Sequence, residues 1–318
     1  SETNRLLLLQ ALYPNITLEN TSNSDDSRVM IQALKSQNAL IDVHHAGTTM
    51  RFLTAFFAIQ EGREVTLTGS NRMKERPIKI LVDALRQLGA DISYEEKDGF
   101  PPLKIIGKKL KQNKVSLPAN VSSQYISALL LIAPKLENGL ELTLEGEITS
   151  IPYIKMTLAL LNEIGVKTSF VNNKVLVNRQ PTTNNRQPIT IESDWSSASY
   201  FYSIIALSEI GTQITLSSYK QNSLQGDSVL VGIYKNFGVE TTFTANTILI
   251  KKVNNYQLST VNYQLNNAPD IAQTIAVTCF GLGIGCHLTG LHTLKIKDAD
   301  MLEALKNELT KLGAKISV

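Results

Sequence analysis

The feature that most constrains this chain is a repeat of about 75 residues that recurs along most of its length. One phrase closes a helix at four places: LVDALRQLGADIS, LALLNEIGVKTSF, VLVGIYKNFGVET and EALKNELTKLGAKIS. At their centres stand Gly89, Gly165, Gly238 and Gly313, separated by 76, 73 and 75 residues. A second phrase opens a helix with the same step: AGTTMRFLTAFF, SSQYISALLLIA, SSASYFYSIIAL and PDIAQTIAVTCF. Aligning Thr48, Ser123, Ser197 and Ile271 gives steps of 75, 74 and 74. A solenoid repeat spans roughly 20–50 residues, so this step marks a duplicated supersecondary unit instead.

Each closing phrase reads as a helix followed by a strand. Leu81, Val82, Leu85 and Leu88 follow the 3.6-residue period of one buried helical face. Gly89 then falls where a left-handed C-cap is wanted, before the alternating Ala90–Ser93. The opening phrases begin with small polar residues and continue as apolar helices. Between them lie short β-rich runs at Val65–Thr68, Leu103–Ile106, Leu140–Leu144 and Ile248–Ile250. The pattern is α/β. Ser1–Leu12 reads as a further helix start and Asp25–Leu40 as the second helix of a shortened unit. Polar helix starts therefore fall near residues 1, 47, 122, 196 and 270, five where two three-fold domains need six.

Composition narrows the possible functions. A chain of 318 residues, 43% hydrophobic and 19% charged, accommodates two ordinary globular domains. Its net charge of +3 is too small and too dispersed for a nucleic-acid footprint. No apolar run approaches the ~18–20 residues of a membrane span, and LLLLQAL lacks the flanks of a signal peptide. The two cysteines, Cys279 and Cys286, have the spacing of neither a zinc knuckle nor a redox pair. So few thiols point to a reducing cytosol, and no metal site is expected. The chain opens at Ser1 without methionine, so the natural N-terminus is expected to lie elsewhere.

Serine, threonine and aspartate at a helix start ordinarily cap it, each contributing about 1 kcal/mol. Five such starts in register carry a further possibility. Equivalent helices point their N-termini the same way, and each end offers free N–H groups and partial positive charge. Arg5, Arg51 and Arg76 lie near these starts and could complete an anion receptacle with bidentate contacts.

At these residues the sequence resembles the enolpyruvyl transferase family, in its branch of 5-enolpyruvylshikimate-3-phosphate synthases. SETNRLLLL is similar to the family's Lys-Ser-x-Ser-Asn-Arg start without its lysine. Ala46-Gly47-Thr48-Thr49-Met50-Arg51 matches Asn-Ala-Gly-Thr-Ala-Met-Arg, with His45 in place of the asparagine. Arg72-Met73-Lys74-Glu75-Arg76-Pro77, Ser122-Ser123-Gln124, Asp194 through Tyr200, Gln225-Gly226-Asp227 and Pro269-Asp270 follow in order. The resemblance implies an inside-out α/β barrel-like fold of two pseudo-three-fold domains built from βαβαββ units, with the active site in the cleft between them. Residues 1–191 would form the three-unit domain on the shikimate-phosphate side, and 192–318 a second domain with two of its three units.

The reaction so implied transfers the enolpyruvyl group of phosphoenolpyruvate to the 5-hydroxyl of shikimate 3-phosphate. It proceeds by addition and elimination, with no metal or organic cofactor, in a cytoplasmic monomer. By position Asp270 matches the carboxylate at the attacking hydroxyl, and Lys297 the lysine of proton transfer. Asp298 stands where the family has a glutamate. Matching positions for shikimate phosphate are Ser1, Arg5, Ser122, Ser123, Gln124, Ser150 and Tyr153. For phosphoenolpyruvate they are Gly47, Arg76 and again Gln124, and Thr293 is a further substrate-binding match. Gly47 has a rationale of its own, because a missing side chain lets an anion approach the backbone.

The chain departs from the family at several points. The lysine before Ser1 is absent, Met301 replaces an arginine that grips the phosphoenolpyruvate carboxylate, and Asp298 is one methylene short. A methionine lacks the planar fork of guanidinium donors. The family's last segment would lie beyond Val318, so the chain is expected to be an incomplete synthase with a weakened phosphoenolpyruvate half-site. Two alternatives stay open. UDP-N-acetylglucosamine enolpyruvyl transferase shares the fold but carries a cysteine where this chain reads GSNRMKERP. The other is a non-catalytic form of the fold that binds a phosphorylated ligand.

Overall fold

The computed structural model describes residues 2–120, 122–148, 151–182, 187–255, 259–295 and 300–318, at 293 and 295 the backbone only. The chain divides into two compact units, Ser1–Ile191 and Glu192–Val318. The first begins with α1 (Glu2–Leu12), β1 (Leu18–Glu19) and α2 (Asp25–Lys35). A full repeat follows: β2 (Leu40–Asp42), α3 (Gly47–Ala58), β3 (Glu64–Thr68), α4 (Asn71–Lys74), α5 (Lys79–Gln87), β4 (Asp91–Tyr94) and β5 (Leu103–Ile106). The next runs through β6 (Lys114–Pro118), α6 (Ser123–Ile132), β7 (Leu140–Glu145), α7 (Ile151–Glu163), β8 (Thr168–Val171) and β9 (Lys174–Val177). β10 (Ile189–Thr190) closes the unit by pairing in parallel with β1.

The two full repeats build sheets of identical topology, β2-β3-β5-β4 and β6-β7-β9-β8. In each the first pair is parallel and the other two are antiparallel. The parallel pair requires a crossover, which α3 and α6 supply. Strands such as β7 alternate buried and half-exposed residues, so each sheet turns one face to solvent. The crossover helices instead lie inside. Every residue of α3 except Thr48 is buried, as is Tyr125–Ile132 of α6 and Glu2–Leu9 of α1. A helix apolar on all sides is stable only when surrounded, which produces the inside-out arrangement. Among the described residues no sheet closes on itself, so the fold is barrel-like only in placing helices within an outer layer of separate sheets.

The second unit repeats this grammar on a smaller scale. It contains α8 (Trp195–Leu207), β11 (Gln213–Ser217), α9 (Leu230–Lys235), β12 (Val239–Phe243) and β13 (Thr247–Lys252). Then come β14 (Thr260–Gln264), α10 (Ala272–Leu282), β15 (Gly285–Thr289) and α11 (Met301–Lys311). Its sheets are β11-β13-β12 and the parallel pair β14-β15. Here α8 is not enclosed: Tyr200 and Ile204 are 64% and 59% exposed, and Phe201 and Leu207 are exposed as well. The positions one repeat earlier, Ile126, Ser127, Leu130 and Ala133, are all fully buried.

The recurring glycines end their helices as the sequence predicts. Gly89, Gly165, Gly238 and Gly313 all have positive φ, between 76° and 100°. At Gly89, Gly165 and Gly313 the next residue's N–H also reaches back to a carbonyl five residues earlier. The pairs are Ala90 to Leu85, Val166 to Leu161 and Ala314 to Leu309, at 2.9–3.0 Å. These bonds satisfy carbonyls the helix leaves open and turn the chain into its strand.

Glu192 opens the second unit as a buried acceptor. It receives hydrogen bonds from Trp195 Nε1 (2.8 Å), Lys220 N (2.9 Å), Ser223 Oγ (2.6 Å) and Gln225 Nε2 (3.3 Å). Removing it would orphan several buried donors at once, each costing about 1–3 kcal/mol. Glu192→Ala should therefore destabilise this unit by about 3 kcal/mol or more. Trp195 is the chain's one tryptophan and is fully buried here. Urea unfolding followed by tryptophan fluorescence should show the loss, while circular dichroism shows the first unit unfolding as before.

Candidate functional site

The helix starts of the first unit are where its polar side chains collect. Ahead of α3, Asp42 Oδ1 accepts from His44 N at 2.7 Å, and His44 adopts a positive φ of 50°. This turn brings the chain from β2 into the helix with Ala46 at the cap position and no side-chain cap. Gly47 is the first helical residue. A Cβ added there would lie 2.2 Å from Arg76 Nη1 and 2.4 Å from Nη2. The Arg76 guanidinium thus lies against bare backbone at the start of a helix, and it is 9% exposed. The peptide after it is anchored to α6, because Tyr125 Oη donates to Pro77 O at 2.6 Å.

Two further bonds, both through Gln124, tie α6 to this place. Arg51 Nη1 donates to Gly47 O and to Gln124 Oε1, both at 2.9 Å, while its guanidinium lies over the Tyr125 ring at 5.3 Å. Gln124 Nε2 donates to Thr48 Oγ1 at 3.1 Å. Ser122 caps α6 by accepting from Gln124 N at 3.4 Å, and Ser122, Ser123 and Gln124 are half-buried at the helix mouth. Gly47, Arg76 and Gln124, expected to act on one ligand, are therefore neighbours. Side-chain capping, the ordinary explanation for polar helix starts, holds at α6 but not at α3, α8 or α10.

Arg5 is built into a separate buried cluster. Its Nε donates to Thr157 Oγ1 at 2.8 Å and its Nη2 to Ser127 Oγ at 3.0 Å. The guanidinium also lies over the Phe52 ring at 5.6 Å. Burial lowers its pKa to about 10, against the opposing influence of Tyr153 and Glu2, so it stays charged at neutral pH. Tyr153 lies half-buried in the first turn of α7, electrostatically coupled to Arg5. Ser127 and Thr157 were not foreseen, although Ser127 lies one turn beyond Ser123 on the same helix. A polar residue recurring inside an otherwise apolar helix was the signal available.

A second unforeseen cluster joins α1, α2 and α3. Asp26 accepts from Asn4 Nδ2 and from Thr49 Oγ1 (3.2 Å), and Ser27 Oγ donates to Asn4 Oδ1 at 3.0 Å. Burial raises the Asp26 carboxyl above the usual carboxylate range, opposed by the Thr49 and Asn4 donors.

In the second unit Asp270 lies half-buried in the one-turn helix Pro269–Ile271 that leads into α10. Ser196 Oγ donates to Asp227 Oδ2, joining two of the matching motifs, and Gln225 Oε1 accepts from the Trp195 N–H at 3.0 Å. Met301 opens α11 half-buried against the apolar core, where a thioether offers no hydrogen-bond donor. Asp300 caps that helix, accepting from Leu302 N and Glu303 N at 3.1 Å. Thr293 falls in the short turn His292–Lys295, and its side chain lies outside the described residues. Ser1, Ser150, Lys297 and Asp298 also lie outside them. Among the described residues no group of three or more His, Cys, Asp or Glu side chains is arranged to hold a metal ion.

The Arg51 and Arg76 guanidinium groups beside the uncapped, glycine-opened start of α3 give this inside-out α/β fold a place with the chemistry of a small-anion site. Comparison with known proteins sharpens this reading. The sequence model of the EPSP synthase (3-phosphoshikimate 1-carboxyvinyltransferase) family matches residues 1–318. The 3-phosphoshikimate 1-carboxyvinyltransferase of Bacteroides fragilis is 47% identical over 315 residues, covering 98% of this chain and 76% of that one. The Histophilus somni protein of the same name is 35% identical, covering 99% of this chain and 79% of its own length. A solved EPSP synthase structure from Acinetobacter baumannii superposes with a TM-score of 0.72 at 19% identity, over 96% of this chain and 75% of that one. The chain belongs to the EPSP synthase family.

Gly47→Ala should act through Arg76 rather than through the fold. Alanine is a better helix former than glycine by about 1 kcal/mol, but its methyl group must displace the guanidinium. Losing one charged hydrogen bond costs about 1.5–3 kcal/mol, so inorganic phosphate should bind about tenfold more weakly by calorimetry. The urea midpoint should stay close to that of the parent.

Proposed function

We propose that this chain transfers the enolpyruvyl group of phosphoenolpyruvate to the 5-hydroxyl of shikimate 3-phosphate, releasing phosphate. The observation that carries the reading is the apposition of Gly47 and Arg76 at the start of α3, in a chain 47% identical to a 3-phosphoshikimate 1-carboxyvinyltransferase. The hydroxyl oxygen adds to the central carbon of the enol, whose methylene carbon gains a proton, giving a tetrahedral intermediate. Elimination then removes that proton again and breaks the bond to phosphate. A base must therefore stand at the attacking hydroxyl and an acid at the methylene carbon.

Asp270 is the proposed base, half-buried beside an apolar helix start. Lys297 and Asp298 are assigned to proton transfer by their place in the motif alone. Gly47, Arg76 and Gln124 would hold phosphoenolpyruvate. Ser1, Arg5, Ser122, Ser123, Gln124, Ser150 and Tyr153 would hold shikimate phosphate, and Thr293 would add a substrate contact. Arg5 keeps its charge while two of its donors hold Ser127 and Thr157, so it would act as a fixed cation rather than a mobile clamp.

Residues 1–191 are read as a domain of three repeats and 192–318 as a domain carrying two. The exposed apolar stripe of α8, at positions that are buried one repeat earlier, supports this division. No described helix is long and apolar enough to cross a membrane. A monomeric cytoplasmic protein without nucleic-acid partners fits the small, dispersed net charge of +3. Met301 favours a second reading, in which this chain holds shikimate 3-phosphate but turns over poorly, because a thioether cannot grip a carboxylate.

Steady-state phosphate release with both substrates, beside calorimetry with shikimate 3-phosphate alone, separates the two readings. Turnover above background supports the transferase. Binding without turnover supports the second reading, and no binding overturns both. Asp270→Ala should lower kcat by about 10²–10⁴-fold while leaving shikimate 3-phosphate affinity essentially unchanged. Unchanged turnover would remove Asp270 from the mechanism.

A further inference from the structure

Cys279 and Cys286 are six residues apart in the interval between them and too far for a Cys-x-x-Cys pair, yet the fold brings them together. α10 ends at Gly283, whose φ of 69° is left-handed. Gly283 N donates to Phe280 O and Ile284 N to Cys279 O, both at 3.0 Å. This reversal feeds the chain directly into β15, which runs back past the end of α10 and places Cys286 beside Cys279. Cys286 lies on the same face of β15 as Leu288, which packs against the core that holds Cys279. Cys279 is buried and Cys286 exposed.

Both thiols line one cavity of about 700 Å³ within the second unit. Phe280, Leu302 and Leu309 are among its walls, and among the described residues no acidic side chain lines it. The other titratable residues among the described lining are His287, His292 and Lys315. The hydrogen bond from Cys279 lowers the Cys286 thiol below its ordinary range, against partial burial. The same bond, together with burial, pushes Cys279 up. Cys286 is exposed and Cys279 buried, so an oxidant in solution meets Cys286 first.

We propose that Cys279 and Cys286 form an oxidisable dithiol, a modification site that reacts with small hydroperoxides and closes to a reversible disulfide. The Cys286 thiolate attacks a peroxide oxygen, forming an S–O bond as the O–O bond breaks. The departing oxygen takes up the proton released by the thiol and leaves as water or an alcohol. Cys286 is then a sulfenic acid. The Cys279 sulfur attacks it, the S–S bond forms, the S–O bond breaks, and hydroxide leaves with the Cys279 proton as water. Two thiols are oxidised by two electrons, and one hydroperoxide is reduced. This site is independent of the transferase reading, since it uses none of the residues assigned to substrate.

The test is hydrogen peroxide treatment of the 318-residue chain, followed by N-ethylmaleimide and tryptic mass spectrometry. No Lys or Arg falls between Lys252 and Lys295, so both cysteines share one peptide. That peptide should lose two hydrogens, take up no maleimide, and recover two reactive thiols with dithiothreitol. Cys279→Ser should stop at a Cys286 sulfenic acid that dimedone traps. Cys286→Ser should leave Cys279 reduced at the same peroxide dose. Trp195 fluorescence checks that both variants are folded. Two maleimides on the peroxide-treated parent, a disulfide between two chains, or over-oxidation of Cys286 without a disulfide would overturn the proposal.

Discussion

Burial of the crossover helices on every side is the constraint from which the rest of this structure follows. α1, α3 and α6 are apolar around most of their circumference, so the first unit must enclose them, and the sheets become its outer layer. Polar groups inside such a layer need partners within it. Arg5, Ser127 and Thr157 satisfy one another, and Arg51 finds Gly47 O and Gln124. In the second unit Ser199 pairs with Thr274 (2.9 Å) and Ser203 with Thr278 (2.8 Å). Each pair is separated by 75 residues, within one position of the repeat step, so nearly equivalent positions of successive repeats meet across the helix interface.

The same constraint creates the binding chemistry. Each enclosed helix presents its free N–H groups at its start, and at α3 no side chain caps them. Gly47 keeps that end open, and the Arg76 guanidinium sits where a Cβ would otherwise stand. A buried cation beside a helix N-terminus attracts anions through both its charge and the helix dipole. The proposed anion site of the first unit would thus be a consequence of packing as much as of individual residues.

Much of this was legible in the sequence, though unevenly. The four helix-ending glycines carried their own conformational signal, since each needed positive φ and each has it. The motifs that carried the family resemblance placed Gly47, Arg76 and Gln124 together, and they are neighbours. Ser127, Thr157 and Asp26 were not foreseen, because a hydroxyl or carboxyl inside a helix gives no sign of which distant donor will meet it. The spacing of Cys279 and Cys286 matches no redox motif, yet spacing along a chain does not measure distance once a left-handed glycine folds strand against helix, and both residues line one cavity.

The sequence by itself determined the repeat, the alternation of helix and strand, and the points where each helix stops. These are local properties, written in hydrophobic period and backbone freedom over a few residues. Only the tertiary structure decided which helices are enclosed and which, like α8, keep an apolar face exposed. It also decided that Arg76 lies on Gly47 and that Cys279 and Cys286 line one cavity. The reason is physical. Burial and side-chain pairing are relations between segments far apart in the chain, and they exist only when those segments share a core.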